Sequence, residues 1–183
     1  MRSPLRKICV YCGSTTGSNP AYIEAAKRLG YSIAQAGLGM VYGGGQSGLM
    51  GVVAWAVREK GGHITGIIPA SLVENEQVFF DADEYHEVNS FHERKMLMYQ
   101  LSDAFIALPG GPGTLEELIE QMAWSQLGLH NKPIFVINTK GFWNPLSEFL
   151  KIAAKVPGAG TEHKRECEFM DDPESAVESF LKK

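Results

Sequence analysis

The sequence has only three cysteines, Cys9, Cys12 and Cys167, among 183 residues. So few, and an odd number, exclude a disulfide-stapled scaffold and point to free thiols in a reducing compartment. Cys9 and Cys12 form a C-x-x-C, but within Lys7-Ile8-Cys9-Val10-Tyr11-Cys12, a run with strand composition. Side chains three apart on a strand face opposite ways, so neither a redox pair nor a metal pair is expected. Positive charge is also scarce: 17 basic against 21 acidic residues leave a net charge of −4. No nucleic-acid or membrane partner follows from that balance. Long hydrophobic runs are missing. The apolar stretch after Met1-Arg2-Ser3-Pro4-Leu5-Arg6-Lys7 is too short for a signal-peptide core or a bilayer span, so a cytoplasmic location is expected. The histidines (His63, His86, His92, His130 and His163) show no zinc-ligand spacing. His92-Glu93 does not open an H-E-x-x-H motif, because the last position is Met96. No metal site is expected.

What remains is the composition of an ordinary globular chain, 44% apolar, and a single domain over residues 1–183 is expected. Strand-like runs alternate with helical patterns. Strands are expected at Lys7–Tyr11, Met40–Tyr42, His63–Ile68, Ala104–Leu108 and Pro133–Ile137. Helices are expected at Pro20–Ala36, Leu49–Lys60, Phe91–Leu101, Thr114–Leu127, Pro145–Lys155 and Pro173–Leu181. Residues 70–89 carry a weak, acidic signal that includes Glu74, Glu76, Asp81 and Asp83; they read as a surface loop or lid with one short strand near Glu87-Val88. The alternation implies βαβ units and an α/β, doubly wound, mostly parallel Rossmann-like sheet with helices on both faces. Near-continuous apolar strands such as Ala104-Phe105-Ile106-Ala107-Leu108 suit a sheet covered on both sides.

Two glycine-rich loops each follow a strand and open a helix. The first is Gly43-Gly44-Gly45-Gln46-Ser47-Gly48-Leu49-Met50-Gly51, the second Pro109-Gly110-Gly111-Pro112-Gly113-Thr114. Glycines let a backbone approach a ligand, and a helix start offers unpaired N–H groups and partial positive charge. One such loop is equally a tight turn; two at strand ends favour an anion or nucleotide site. Gly43-x-Gly45-x-x-Gly48 also fits the dinucleotide fingerprint, but the next strand ends in Ile67-Ile68-Pro69 without the acidic residue that holds a ribose. A Gly-Lys-Ser/Thr phosphate loop is absent, which argues against a nucleoside triphosphatase.

Charged residues flank these loops. Thr114-Leu115-Glu116-Glu117 reads either as a capping box, with Thr114 as N-cap and Glu117 completing it, or as a carboxylate at the mouth of a phosphate site. Spacing leaves both open. Phe91-His92-Glu93-Arg94-Lys95 puts two cations near a helix start, against the helix dipole, which hints at a ligand.

Taken together, Pro109-Gly110-Gly111-x-Gly113-Thr114-x-x-Glu117, Gly43-Gly44-Gly45-x-x-Gly48-Leu49-Met50-Gly51 and His92-x-Arg94-Lys95 resemble the LOG family of cytokinin-activating phosphoribohydrolases, over about Lys7 to Leu150. Proteins of this family have also carried a lysine decarboxylase label, for which no lysine here has a recognisable pyridoxal-phosphate setting. The resemblance implies hydrolysis of a nucleoside 5′-monophosphate to free base and ribose 5-phosphate, a homodimer and no cofactor. By motif position it implies catalytic roles for Arg94 and Glu117. It implies nucleotide binding by Gly43, Gly44, Gly45, Gly48, Met50, Lys95, Gly110, Gly111, Gly113, Thr114 and Glu116. Phe91 departs from the methionine usual before the histidine, and residues 70–89 and the tail after Lys155 follow no family pattern. The alternatives are a non-catalytic nucleotide or molybdenum-cofactor carrier, which would not need Arg94 with Glu117, and a nicotinamide-dependent oxidoreductase.

Overall fold

The computed structural model describes residues 4–73, 78–156 and 167–183. Met1, Arg2, Ser3, Glu74, Glu76 and His163, all considered above, lie outside them. The chain runs β1 (Lys7–Tyr11), α1 (Pro20–Gln35), β2 (Gly39–Tyr42), α2 (Gly48–Glu59), β3 (His63–Pro69), α3 (Ala70–Val73), β4 (Glu84–Val88), α4 (Phe91–Gln100) and β5 (Ala104–Ala107). It continues through α5 (Pro112–Gln126), β6 (Ile134–Ile137), α6 (Asn144–Ala153), β7 (Glu168–Met170) and α7 (Pro173–Leu181).

Among the described residues, seven strands form one sheet in the order β4-β3-β2-β1-β5-β6-β7, and neighbouring strands of it pair parallel. β2 to β4 extend one way from β1, and β5 to β7 extend the other. The order therefore reverses between β1 and β5, where a doubly wound sheet opens a crevice at its carboxyl edge.

Residue alternation along the strands builds two cores. Ile8, Val10, Met40 and Tyr42 pack with Leu29 and Ile33 of α1, Val53 and Val57 of α2, and Phe180 of α7. Cys9, Tyr11, Val41, Phe105 and Val136 point the other way and pack with Met98 of α4 and Leu118 of α5. Helices thus cover both faces. Cys9 belongs to one core and Cys12 to the other, and both are free.

Three features differ from the sequence-based expectation. α5 begins at Pro112, with Gly111 as its N-cap and no side-chain cap, so Thr114 lies inside the helix and makes no capping box with Glu117. A capping arrangement forms instead on α4: the Ser90 hydroxyl accepts from Glu93 N at 3.1 Å, and the Glu93 carboxylate accepts from Asn89 N at 2.8 Å. Part of the acidic stretch is a full edge strand, β4, and β7 adds a strand where none was expected.

Candidate active site

A cavity of about 440 Å³ opens at the carboxyl edge beside the β1/β5 reversal. Its floor includes Val10, Met50 and Met98, and its walls come from the starts of α4 and α5. A larger cleft, of about 640 Å³, lies at the opposite edge and contains none of the candidate residues.

Arg94, on the first turns of α4, is buried. Its Nε donates to the Ile67 carbonyl at 3.1 Å and its Nη2 to the Gly43 carbonyl at 2.8 Å. Two backbone acceptors, at the ends of β3 and β2, therefore hold the guanidinium plane. Gly43 makes this possible: a Cβ there would lie 2.1 Å from Arg94 Nη2.

Glu117 reaches the same cavity from α5. Burial pushes its carboxyl up to about 7, against the pull of Arg94 and Lys95, while Glu116 and Glu120 push it further up. The side chain retains some exposure through the cavity. At neutral pH both its protonation states are populated, as suits a group that handles protons.

Lys95 bridges α4 to α5. Its ammonium pairs with Glu116 and, at 2.9 Å, with Glu120. Burial works against that charge, yet the two carboxylates raise the lysine above its usual value. Lys95 and Glu116 both line the cavity, but they answer one another's charge first. The cations near the α4 start, odd against the helix dipole, are thus explained by backbone carbonyls for Arg94 and by carboxylates for Lys95.

The α5 start is built for an anion. Pro112 has no N–H, and the amides of Gly113 and Thr114 precede the first intrahelical bond, from Leu115 N to the Gly111 carbonyl at 3.1 Å. Gly111 and Gly113 have open space where a Cβ would stand, and Gly111, Gly113 and Thr114 all face the cavity. The partial positive charge of the helix start adds to those donors.

The first glycine loop divides its work. Gly43 and Met50 line the cavity, whereas Gly44, Gly45 and Gly48 do not. The Gly44 carbonyl accepts from Phe79 N at 2.9 Å, and Gly45 bridges Val78. Gly48 has φ of +60° and presses on the Ser14 backbone, where a Cβ would lie 2.2 Å from a carbonyl carbon. Leu49 N, near the α2 start, donates to the Gly13 carbonyl at 3.0 Å. Gly110 also lies off the lining; a Cβ there would meet Thr114 Oγ1 at 2.2 Å. These glycines shape the loops.

Sequence reasoning overlooked Cys12, Gly13 and Ser14 and gave no site role to Phe91, His92 and Pro112, although it quoted these three within motifs; all six line the cavity. The available signal was the Cys12-Gly13-Ser14 turn directly after β1, at the sheet's reversal point. Burial holds the Cys12 thiol well above its usual range, so it stays protonated and inert. Among the described residues no group of histidine, cysteine and carboxylate side chains could hold a metal ion, and no helix is long and apolar enough to cross a membrane.

A family described as "Possible lysine decarboxylase" matches residues 50–180. The cytokinin riboside 5′-monophosphate phosphoribohydrolase LOG of Oryza sativa subsp. japonica is 48% identical over 152 residues, covering 83% of this chain and 63% of that protein. A cytokinin riboside 5′-monophosphate phosphoribohydrolase of Arabidopsis thaliana is 46% identical over 154 residues, covering 84% of this chain and 72% of its own length. The chain thus spans slightly under two thirds of the rice protein. Among solved structures, the molybdenum cofactor carrier protein of Chlamydomonas reinhardtii superposes with a TM-score of 0.74 at 20% identity, over 98% of this chain and 99% of that one. The molybdenum cofactor binding protein of Rippkaea orientalis gives 0.71 at 22% identity, over 100% and 98%. At those identities the likeness is one of fold.

Proposed function

This chain belongs to the LOG family, and from that premise we propose that it hydrolyses the N-glycosidic bond of a purine nucleoside 5′-monophosphate, AMP or a cytokinin riboside 5′-monophosphate, releasing free base and ribose 5-phosphate. The observation that carries this is the joint presence, in one cavity, of bare α5 amides, a carbonyl-locked Arg94 and a Glu117 pushed up to about 7. The 5′-phosphate takes the Gly113 and Thr114 amides, and the ribose lies towards Glu117 and Arg94. As the bond from C1′ to the base breaks, positive charge builds on the sugar, as in glycoside hydrolysis. The Glu117 carboxylate stabilises that charge and accepts a proton from the attacking water, whose oxygen bonds to C1′. The C1′–N electron pair leaves with the base, which takes a proton from solvent, and Glu117 returns the water's proton to solvent, so that the net reaction consumes one water. The reading extends to a cytoplasmic homodimer. Exposed Met96 on α4 and exposed Leu115, Leu127 and Leu129 on and after α5 supply apolar surface for a second copy.

The test is chromatography of products after incubation with a nucleotide panel, without added metal or nicotinamide. Free adenine or N6-substituted adenine with ribose 5-phosphate is expected, and adenosine should be a poor substrate because phosphate binding energy is missing. Intact nucleotides across the panel would instead favour a carrier, the role named for the structural neighbours.

A further inference from the structure

The cleft at the amino edge of the sheet lies far from the candidate active site. It collects residues that precede or open strands: Arg6 before β1, Asp103 before β5, Lys132 before β6 and Glu168 at the start of β7, with Lys183 beyond α7. The five-residue strand β1 separates the two edges by roughly 16 Å, at about 3.3 Å per residue.

Two cations in this cleft have no carboxylate within ion-pair distance among the described residues. The Arg6 guanidinium lies 3.8 Å from the centre of the Phe180 ring and donates one bond, of 3.2 Å, to the Phe180 carbonyl. The Lys132 ammonium sits 3.9 Å from the centre of the Tyr99 ring and donates to the Tyr99 carbonyl at 2.5 Å. Each is thus held in place by an aromatic face and one carbonyl, with further donors to spare. Lys183 is nearby and shares its charge with Glu168. Lys132 is half-buried, and burial holds its amine below the usual lysine value, although Asp103 acts in the opposite direction. A bound anion would relieve that cost.

The rim has a second character. One Asp103 oxygen accepts from Lys7 N at 2.8 Å, Glu168 stands opposite, and Asn131 and Ser125 add neutral polar groups. Carboxylates would repel a bare anion, but they accept hydrogen bonds from hydroxyl groups. A volume of about 640 Å³ is also larger than one phosphate needs.

We propose that this amino-edge cleft is a second ligand site, which binds a sugar-sized phosphate monoester: the phosphate on Arg6 and Lys132, the hydroxyls on Asp103, Glu168 and Asn131. The site does not depend on the glycosidic reaction at the opposite edge.

The experiment is lysine-by-lysine acylation of the intact chain with acetic anhydride, read by mass spectrometry, with ribose 5-phosphate, inorganic phosphate or ribose as probes. Ribose 5-phosphate is expected to slow labelling of Lys132 several-fold and to leave exposed Lys27 and Lys60 unchanged. Ribose should do nothing, and inorganic phosphate should protect more weakly. Lys95, in the carboxyl-edge cavity, separately reports binding there, so the two sites are read independently. Arg6→Gln should raise the half-protecting concentration about tenfold, the loss of one charge-assisted contact, with base release and melting temperature close to wild type. No protection of Lys132 by ribose 5-phosphate overturns the proposal. Equal protection by inorganic phosphate overturns the sugar component, and an unchanged Arg6→Gln overturns the assigned phosphate ligands.

Discussion

Replacing Glu117 by Gln keeps the shape of the side chain and removes its charge, so catalysis and folding should move in opposite directions. Glu117 is held at about 7 in the folded chain against an ordinary value of 4.5, chiefly by burial. Its folded pKa lies above its unfolded one, so its contribution to stability is fully present below about 4.5 and is lost as pH rises to 7. At 1.36 kcal/mol per pH unit, the whole interval is worth about 3 kcal/mol. The side chain keeps some access to water through the cavity, so about 2 kcal/mol is the fairer expectation. Gln, which never ionises, escapes that loss. We expect the variant to melt about 4–8 °C above the wild type at pH 8, for a chain of this size, with the gap closing towards pH 4.5. Turnover should fall about 10²–10³-fold, the usual effect of removing one preorganised electrostatic partner. Differential scanning calorimetry at several pH values, with a base-release assay, measures both. A pH-independent difference in melting temperature would refute the burial argument, and near-normal turnover would remove Glu117 from the chemistry.

Gly43→Ala places a methyl 2.1 Å from Arg94 Nη2; turnover should drop about 100-fold as the guanidinium is displaced. Gly113→Ala meets nothing within 4 Å, so the fold should persist or gain up to about 1 kcal/mol while KM for the nucleotide rises; steady-state kinetics and melting curves check both. Lys95→Met removes a cation that pulls Glu117 down and frees Glu116 and Glu120; the pH midpoint of kcat/KM should move up, and a downward shift would contradict the charge assignment. Light scattering at micromolar concentration should give twice the 20.1 kDa chain mass; a monomer would remove the homodimer.

The sheet centre was legible because β1, β2, β3, β5 and β6 are short, apolar runs broken by turns and helical patterns, and burial on both faces demands that composition. Its edges were not. β4 reads Glu-Tyr-His-Glu-Val and alternates between half-buried and exposed positions until its last residue, the buried Val88; Glu84 is held there by Lys7, from the start of β1, at 3.0 Å. β7 has three residues, none fully buried. Edge strands face solvent and carry charge, so periodicity loses its signal where the sheet ends. The glycine loops were visible as motifs, but which glycines face the cavity depends on contacts distant in sequence: Gly48 answers to Ser14, and Gly43 to Arg94. The same limit explains the capping box. Thr114…Glu117 and Ser90…Glu93 have equal spacing, and Pro112 decides between them by starting α5 two residues before Thr114.

Whether Glu117 works as a carboxylate or as an acid can be decided by the direction of one pH profile. In the mechanism derived above, the ionised form faces the developing ribosyl charge. Burial pushes the Glu117 carboxyl of the free site up to about 7, so kcat/KM is expected to rise with pH through that value and then level. A bound 5′-phosphate adds negative charge to the same cavity. Lys95 is already committed to Glu116 and Glu120, so Arg94 and the α5 amides must offset the phosphate. The added anion pushes Glu117 higher, and the midpoint of kcat should lie above that of kcat/KM. The substrate phosphate itself loses a proton near 6, and Glu117→Gln separates the two: the variant's residual activity should keep the limb near 6 and lose the one near 7. The stability titration of the wild type supplies an independent check, since one carboxyl governs both: the pH at which the loss of stability levels off must agree with the Glu117 limb of kcat/KM. A rate that falls as pH rises through 7 would make the protonated carboxyl the active form, and Glu117 would become the donor to the leaving base.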